Sequence, residues 1–397
     1  MKNKINGKEI SKYNEILKKI KIDPVLIIAW LLALISMFFV IPGKKYFSYI
    51  DFRTLGILFG LMVISQGLKK NYVFDIVAKI LLRKVNTVFG ISLVLILLNY
   101  FVAMFITNDV ALIIFIPFSI MLLNKCGRKD LYIYLACLQT IAANMGSMLT
   151  PIGNPQNLYL FTASGVSVFN FIKITMIYSL FALVLLVICL LFIRDKNKAL
   201  EISDRNDKEP VDSYDNKNKK INFIQIAIYT VLFILALFVV ARVIDYKIFV
   251  VFTLITIIFM DRKILLKVDY GLLLTFTGFF IFVGNISRID KISMFLGKII
   301  RGREFFTTII LSQFISNVPA AILLSGFTDK YKELIIGVNI GGFGTIIASM
   351  ASLISYKIYA DTKDSKKGKY LITFSCINAI FLFFMISIYL IVGTLFR

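Results

Sequence analysis

Apolar segments of about 20 residues recur along this chain from residue 24 almost to its last residue. A helix of that length crosses the roughly 30 Å hydrocarbon core of a bilayer. Only 17% of the 397 residues are charged, whereas soluble domains carry about 25%. Strands of a membrane barrel would instead alternate polar and apolar residues, which these segments do not. The pattern therefore predicts an all-α membrane protein with several spans.

The formal net charge of +22 could indicate a nucleic acid partner. However, Lys and Arg lie between the apolar segments, where basic residues orient membrane proteins, and no RNA- or DNA-binding motif accompanies them. We therefore expect the lipid bilayer as a partner, and no nucleic acid. No small-residue cleavage site follows the first apolar segment, 24–42, so we predict that it is a retained span.

A polar segment of mixed charge, 194–220, divides the chain into two units. We predict a basic cytoplasmic tail at 1–23, a first span and first repeat within 24–193, a cytoplasmic linker at 194–220, and a second repeat with a terminal span at 221–397. In chain order, the predicted spans and hairpin arms are 24–42, 52–68, 85–105, 110–123, 131–149, 170–193, 222–242, 246–260, 270–286, 303–327, 333–358 and 370–396, with amphipathic helices at 69–84 and 288–300.

Two motifs occur once in each unit. The letters FITNxxA at 105–111 match FISNxxA at 314–320, and NxGxxxTxI occurs at both 144–152 and 339–347. Both units share the order span, amphipathic helix, hairpin and broken helix, but their leading spans would cross in opposite directions. Such inverted repeats are typical of secondary transporters. We expect about 11 transmembrane helices in two inverted repeats, with two re-entrant hairpins and two discontinuous helices.

The basic residues predict the orientation. If both hairpins turn back at mid-membrane, the segments on the side of the N-terminus carry 30 Lys and Arg, and those on the opposite side carry 13. Basic residues are enriched in cytoplasmic loops. We therefore predict a multi-pass protein of a prokaryotic inner membrane with its N-terminus in the cytoplasm.

Polar residues interrupt both units at the hairpin tips and in the broken helices. Backbone outside a helix is costly at membrane depth unless it lines a cavity or is buried in protein, so these interruptions predict a binding site. N-termini of half-helices favour anions, and unwound carbonyls coordinate Na⁺. The candidate substrate and ion ligands are Thr107, Asn108, Asp109, Asn144, Thr150, Pro151, Gly153, Asn154 and Asn157 in the first unit and Ser316, Asn317, Asn339, Gly341 and Thr345 in the second.

Asp109 is the only acidic residue at a hairpin tip, and its counterpart in the repeat is Val318. A carboxylate inside a membrane is costly and is therefore a candidate proton or ion carrier. The other interpretation is an N-cap for the return arm of the hairpin. The chain has no His, so Asp109 is the best candidate for a proton carrier at this depth.

The segments TNDVAL at 107–112 and ANMGSMLTPIGNPQNL at 143–158 resemble the citrate-transporter-like domain of the ion transporter superfamily. This superfamily includes citrate and dicarboxylate transporters, arsenite permeases and some sodium/proton antiporters, and the resemblance covers residues 25–395. It implies a homodimer in which a transport domain moves against a scaffold by an elevator-type mechanism. It also implies one Na⁺ site at Thr107, Asn108, Gly153 and Asn154 and another at Ser316, Asn317, Thr345 and Ala348. The tips read Thr-Asn-Asp and Ser-Asn-Val, where carboxylate transporters have Ser-Asn-Thr.

These features predict a secondary active transporter of a small anion: a di- or tricarboxylate such as citrate, or an oxyanion such as arsenite. Na⁺ or H⁺ would be the coupling ion, and no other cofactor is expected. We expect no enzyme, because nucleotide motifs, nucleophile–base pairs and metal clusters are not recognisable. The alternative is a Na⁺/H⁺ antiporter with Asp109 as proton carrier. A passive anion channel is less favoured, because paired hairpins suggest occlusion from both sides.

Overall fold

The computed structural model describes residues 24–82, 85–195, 197, 221–363 and 365–395. Within these ranges the chain is helical and contains no strand, which confirms the predicted all-α class. The tail at 1–23 and most of the linker at 194–220 lie outside the described residues, so these two predictions stay open.

The helices follow the order predicted for the two units. The first unit contains α1 (Pro24–Phe39), α2 (Tyr46–Tyr49), α3 (Phe52–Lys70), α4 (Val73–Leu82), α5 (Val88–Ala103), α6 (Asn108–Lys125), α7 (Tyr132–Met148), α8 (Pro155–Ser164) and α9 (Val168–Leu191). The second unit contains α10 (Phe223–Val240), α11 (Tyr246–Asp261), α12 (Tyr270–Ile286), α13 (Asp290–Ile300), α14 (Glu304–Ile315), α15 (Asn317–Ser325), α16 (Tyr331–Ile340), α17 (Met350–Ala360) and α18 (Lys367–Leu395). Short 3₁₀ turns at Lys129–Leu131 and Arg262–Lys267 precede α7 and follow α11.

Several of these helices are suited to a membrane. Among the described residues, α6, α9, α10 and α18 are each long and apolar enough to cross a bilayer. The helices α12 and α13 meet the same test as a pair, but they are bent by 105° at their junction. The apolar helices α1, α5 and α14 are shorter. The multi-span class is therefore supported, and the total of about 11 spans stays a prediction.

Polar side chains define where several of the apolar helices begin. Asp51 accepts a hydrogen bond from the backbone N–H of Thr54 at 3.0 Å, and Asp269 accepts one from Leu272 at 3.0 Å. These acidic N-caps satisfy backbone donors that have no partner within the helix, and they suit the positive end of the helix dipole. The predicted starts of α3 and α12 are thus accurate because one local interaction fixes each of them.

Glycines allow each broken helix to lie close to the first arm of its hairpin. A Cβ atom on Gly146 of α7 would lie 1.9 Å from the carbonyl oxygen of Tyr100 in α5. A Cβ atom on Gly341, just after α16, would lie 2.8 Å from the hydroxyl oxygen of Ser312 in α14. Glycine alone permits such contact, so the shared Gly of the two motifs places the interruptions beside the hairpins.

Five helices, α1, α3, α10, α11 and α12, pack on one another. Gly60 and Gly67 of α3 face the rings of Phe249 in α11 and Tyr229 in α10, and Gly278 of α12 faces the backbone of Ala29 in α1. This five-helix unit contacts the hairpins and broken helices largely through α8 and α15. The candidate site therefore lies within a group of helices that meets the five-helix unit along a limited surface.

Candidate functional site

Two helical hairpins turn at equivalent residues. The arms α5 and α6 contact each other, as do α14 and α15. The turn residues Thr107 and Ser316 have φ angles of +54° and +74°. Positive φ is uncommon for residues other than glycine and costs energy, so the surroundings must hold it in place. In both hairpins the next residue, Asn108 or Asn317, begins the return helix.

Each tip is bonded to the broken helix of its own unit. The backbone N–H of Asn108 donates to the carbonyl of Gly153 at 3.1 Å, and that of Asn317 donates to the carbonyl of Ala348 at 2.9 Å. Gly153 and Ala348 occupy matching positions of the repeat motif. The structure thus brings together three members of each predicted cation-ligand set.

Buried polar side chains also join the two units. Asn154 donates through its side-chain nitrogen to the Oδ1 atom of Asn339 at 3.1 Å, and the Ser349 hydroxyl donates to Oδ1 of Asn144 at 3.3 Å. Oδ1 of Asn144 also accepts a bond of 3.0 Å from the side chain of Asn108. All five side chains are buried. Asn154 matches Ser349 in the repeat, and Asn144 matches Asn339, so the two cross-unit bonds are equivalent.

The interruption between α7 and α8 is stabilised by Asn157. Its side-chain nitrogen lies 3.1 to 3.2 Å from three carbonyl oxygens at the end of α7, and its Oδ1 atom accepts from Asn339 at 2.7 Å. Pro151 and Gly153 are buried in the same interruption. The carbonyl groups that lack a helical N–H partner are thereby hydrogen-bonded by a protein side chain. Such pairing is needed because buried backbone groups in a membrane protein have no access to water.

Four helix N-termini converge at this centre. They belong to α6, α8, α15 and α17, which begin beside the bonded residues described above. The side chain of Asn154 caps α8 by accepting from the N–H of Asn157 at 2.9 Å. The side-chain nitrogen of Asn144 is buried without a hydrogen-bond partner. The centre therefore combines partial positive charge from helix ends with neutral amides and hydroxyls.

Asp109 lies in the first turn of α6, one residue beyond its start. Its own N–H donates to the side chain of Asn108 at 3.0 Å, and its Oδ1 atom is buried without a partner. The residue in the N-cap position is Thr107, which makes no side-chain capping bond. The N-cap interpretation of Asp109 is therefore wrong, because α6 begins earlier than predicted, although a carboxylate still suits the positive end of this helix.

The two motif threonines contact the first arms of the hairpins. The Thr150 hydroxyl donates to the carbonyl of Met104 at 2.5 Å, and the Thr345 hydroxyl donates to the carbonyl of Gln313 at 3.1 Å. Met104 and Gln313 are equivalent residues, each three before its tip residue. Thr345 is exposed, and its hydroxyl bonds to Gln313 rather than to the tip residues, although its carbonyl accepts a 3.1 Å bond from the N–H of Ala348.

Three polar residues of the site were not predicted from the sequence: Gln313, Ser147 and Ser349. The Gln313 side chain donates to the carbonyls of Gly341 and Phe343, both at 2.9 Å, and accepts from the N–H of Thr345. Ser147 accepts from Asn154 at 3.0 Å, and Ser349 bonds to Asn144. A Gln three residues before a hairpin tip, where the first unit has Met104, is the signal that could have identified Gln313.

The known proteins that this chain resembles are named as transporters or as an inner membrane protein. The family model described as the citrate transporter matches residues 16–329. An uncharacterized transporter of Methanocaldococcus jannaschii is 33% identical over 80% of this chain and 84% of its own length. The inner membrane protein YbiR of Escherichia coli is 29% identical over 83% of this chain and 86% of its own length. The protein arsB of Dictyostelium discoideum is 29% identical over 40% of this chain and 28% of its own length.

Proposed function

The chain belongs to the citrate transporter family, and we propose that it is a secondary active transporter that moves a small anion with Na⁺ or H⁺ as coupling ion. The observation that carries this proposal is the convergence of four helix N-termini on buried, neutral side chains. A helix N-terminus carries about half a positive charge and presents free N–H groups. An anion can therefore be held without a fixed basic residue.

The chemistry of the centre supports an oxygen-rich anion as substrate. The side-chain nitrogen of Asn144 has no partner and can donate to carboxylate or oxyanion oxygens. Asn154 and Ser349 would donate to the anion in exchange for the bonds that they now make to Ser147, Asn339 and Asn144. The substrate class we propose is a di- or tricarboxylate such as citrate, or an oxyanion such as arsenite.

The coupling ion would bind at the interrupted backbone. For Na⁺, we propose one site at Thr107, Asn108, Gly153 and Asn154. A pseudo-equivalent site would use Ser316, Asn317, Thr345 and Ala348. The Gly153 carbonyl accepts one bond, from the N–H of Asn108, and keeps a second lone pair for a cation. The Ala348 carbonyl accepts from the N–H of Asn317 at 2.9 Å and from the Ser316 hydroxyl at 3.5 Å, and that long second bond would give way to a cation. The exposed hydroxyl of Thr345 would have to leave Gln313 to join the second site.

Two inverted repeats and an elevator-type movement are part of the proposal, as is a homodimer. In this mechanism the five-helix unit serves as the scaffold, and the hairpins, broken helices, α9 and α18 move against it. The contacts that would change include those of Tyr159 in α8, whose ring lies 5.5 Å from that of Phe280 in α12. Arg242 donates to the carbonyl of Gly165 after α8 at 2.7 Å. Such contacts would hold one end state of the movement.

The proposed orientation places the N-terminus and the linker 194–220 in the cytoplasm. We expect an Asn216→Cys variant, made after replacement of the four native cysteines, to resist an impermeant thiol reagent in intact cells. A Gly43→Cys variant in the exposed loop after α1 is the matched control and should be labelled. Labelling of the Asn216→Cys variant from outside would refute this orientation.

The competing function is Na⁺/H⁺ antiport with Asp109 as proton carrier, and the unpartnered, buried carboxylate oxygen favours it. Asn retains the shape and one oxygen of Asp but cannot titrate. For an Na⁺-coupled anion transporter, we expect Asp109→Asn to retain a substantial part of uptake, with Na⁺ affinity reduced by about tenfold, equivalent to about 1.4 kcal/mol. The measurement is transport by the reconstituted variant between about pH 5.5 and 8.5. This range brackets neutral pH, near which a group that gains and loses a proton in each cycle should titrate. Complete loss across that range, with the protein folded, would support the antiporter instead.

A further inference from the structure

A groove of about 820 Å³ lies away from the site, between α13 and the base of the second hairpin. Its walls come from α13, from the turn that leads into α14, and from the segment that follows α15. The charged and hydroxyl side chains that line it include Lys298, Arg301, Glu304, Thr328, Asp329 and Lys330. It is the kind of concave, polar surface that can take a ligand of moderate size.

The charges in this groove are unevenly distributed. Lys298, Arg301 and Lys330 are exposed, and none of them forms an ion pair within the described part of the chain. The carboxylate of Glu304 is buried and accepts a 3.1 Å bond from the Thr328 hydroxyl. Three free cations therefore lie at the rim, while one of the two carboxylates lies beneath it. A phosphate group would find several cationic donors at this rim.

The helix that forms one wall is amphipathic. Met294 and Phe295 of α13 are 68% and 63% exposed, beside the lysine and arginine that line the groove. The helix is bent by 105° away from α12. In a membrane protein, an amphipathic helix that turns away from an apolar helix is typical of the interface, where apolar side chains enter the acyl region and charged ones meet headgroups. The groove would then open at headgroup depth.

We propose that this groove binds the headgroup of an anionic phospholipid of the phosphatidylglycerol type. Its phosphate would lie among Lys298, Arg301 and Lys330, and its glycerol hydroxyls could donate to Asp329. The acyl chains would pack along Met294 and Phe295. A free phosphate would use the cations alone, whereas a lipid also covers the exposed apolar side chains, which is why we assign the groove to a lipid.

A lipid in this position would bridge two parts of the fold. It would contact α13 on one side and the segment after α15 on the other. Ser325 also lines the groove, and its hydroxyl lies 2.7 Å from that of Tyr159 in α8. Because a ligand that binds only the folded state stabilises it, we expect phosphatidylglycerol to raise the melting temperature of the protein.

The test uses the full chain purified in detergent and measures lipid retention by native mass spectrometry together with thermal unfolding. The ligands are phosphatidylglycerol, phosphatidylethanolamine, glycerol 3-phosphate and inorganic phosphate. The groove variant carries Lys298→Gln, Arg301→Gln and Lys330→Gln. The matched control carries Lys366→Gln, Lys367→Gln and Lys369→Gln, which remove the same charge from exposed positions near the start of α18.

We expect phosphatidylglycerol to bind the wild-type protein and the control variant alike, with weaker binding of phosphatidylethanolamine. Affinity should fall about fivefold for each groove charge removed, the usual contribution of a basic residue at a membrane surface. Equal retention of phosphatidylglycerol by the groove and control variants would overturn the proposal. So would glycerol 3-phosphate or phosphate raising the melting temperature as much as the lipid, because the groove would then be a solute site. If the triple variant does not fold, Arg301→Gln alone provides the same comparison.

Discussion

Replacing either Asn108 or Asn317 with Ala is expected to abolish transport while the protein remains folded. Each side chain lies at a hairpin tip and at the N-terminus of a return helix. In our proposal each supplies an oxygen or amide to the coupling ion or the anion at mid-membrane. Hydrogen bonds to charged groups contribute about 1.5–3 kcal/mol. Losing one such hydrogen bond to the bound ion or anion would therefore reduce the transport rate by at least about tenfold to a hundredfold.

The fold should survive because the bonds that join the tips to the broken helices use the backbone. The N–H groups of Asn108 and Asn317 would still donate to Gly153 and Ala348 after either substitution. Asn108→Ala would remove its bond to Asn144, whose Oδ1 atom would keep Ser349 as a donor. Asn108→Ala would also remove the bond that the N–H of Asp109 donates to the Asn108 side chain. The expected loss of stability is therefore about 1–3 kcal/mol, the usual net value of two such bonds.

The measurement is uptake into proteoliposomes at equal protein content, with folding checked by gel filtration and thermal unfolding. Asn99→Ala is the matched control, because Asn99 is equally buried in the arm before the first tip but donates only to Leu95 of its own helix. We expect this control to retain uptake. Wild-type uptake by the Asn108→Ala or Asn317→Ala variant would remove that residue from the site.

Local patterns in the sequence were sufficient to predict most of the helices. The predicted span 270–286 coincides with α12 at both ends, since Asp269 caps its start and a polar turn follows it. The hairpin tips were also predicted, because a Ser/Thr-Asn pair stands at matching places in an apolar stretch of both units. These features depend on interactions within a few residues and are therefore visible in one sequence.

The contacts within the site could not be predicted, because they join segments that are distant in the sequence. That Asn154 would meet Asn339 and that Ser349 would meet Asn144 requires the placement of one unit against the other. The same holds for Gln313, whose side chain satisfies carbonyls 28 and 30 residues later. The position of Thr345 on the surface likewise follows from how α14 packs beside the second interruption, which the repeat motif alone does not determine.

An ion gradient should drive an anion through this centre, and uptake into liposomes under defined gradients measures that coupling. Purified protein in liposomes would be offered labelled citrate, succinate or arsenite, with the Na⁺ and pH gradients set independently and no ATP present. Without a driving gradient, a coupled transporter can only equilibrate its substrate, whereas a gradient of the coupling ion must produce accumulation, because the two binding equilibria are linked.

We predict that at least one anion accumulates above the external concentration under an inward Na⁺ or H⁺ gradient, and that accumulation collapses when an ionophore dissipates that gradient. Liposomes with the Asn317→Ala variant should show neither effect. Coupled anion transport would be refuted by anion flux that equilibrates at the same rate whatever the gradients, as in a channel. Exchange of Na⁺ for H⁺ without movement of any anion would refute it as well.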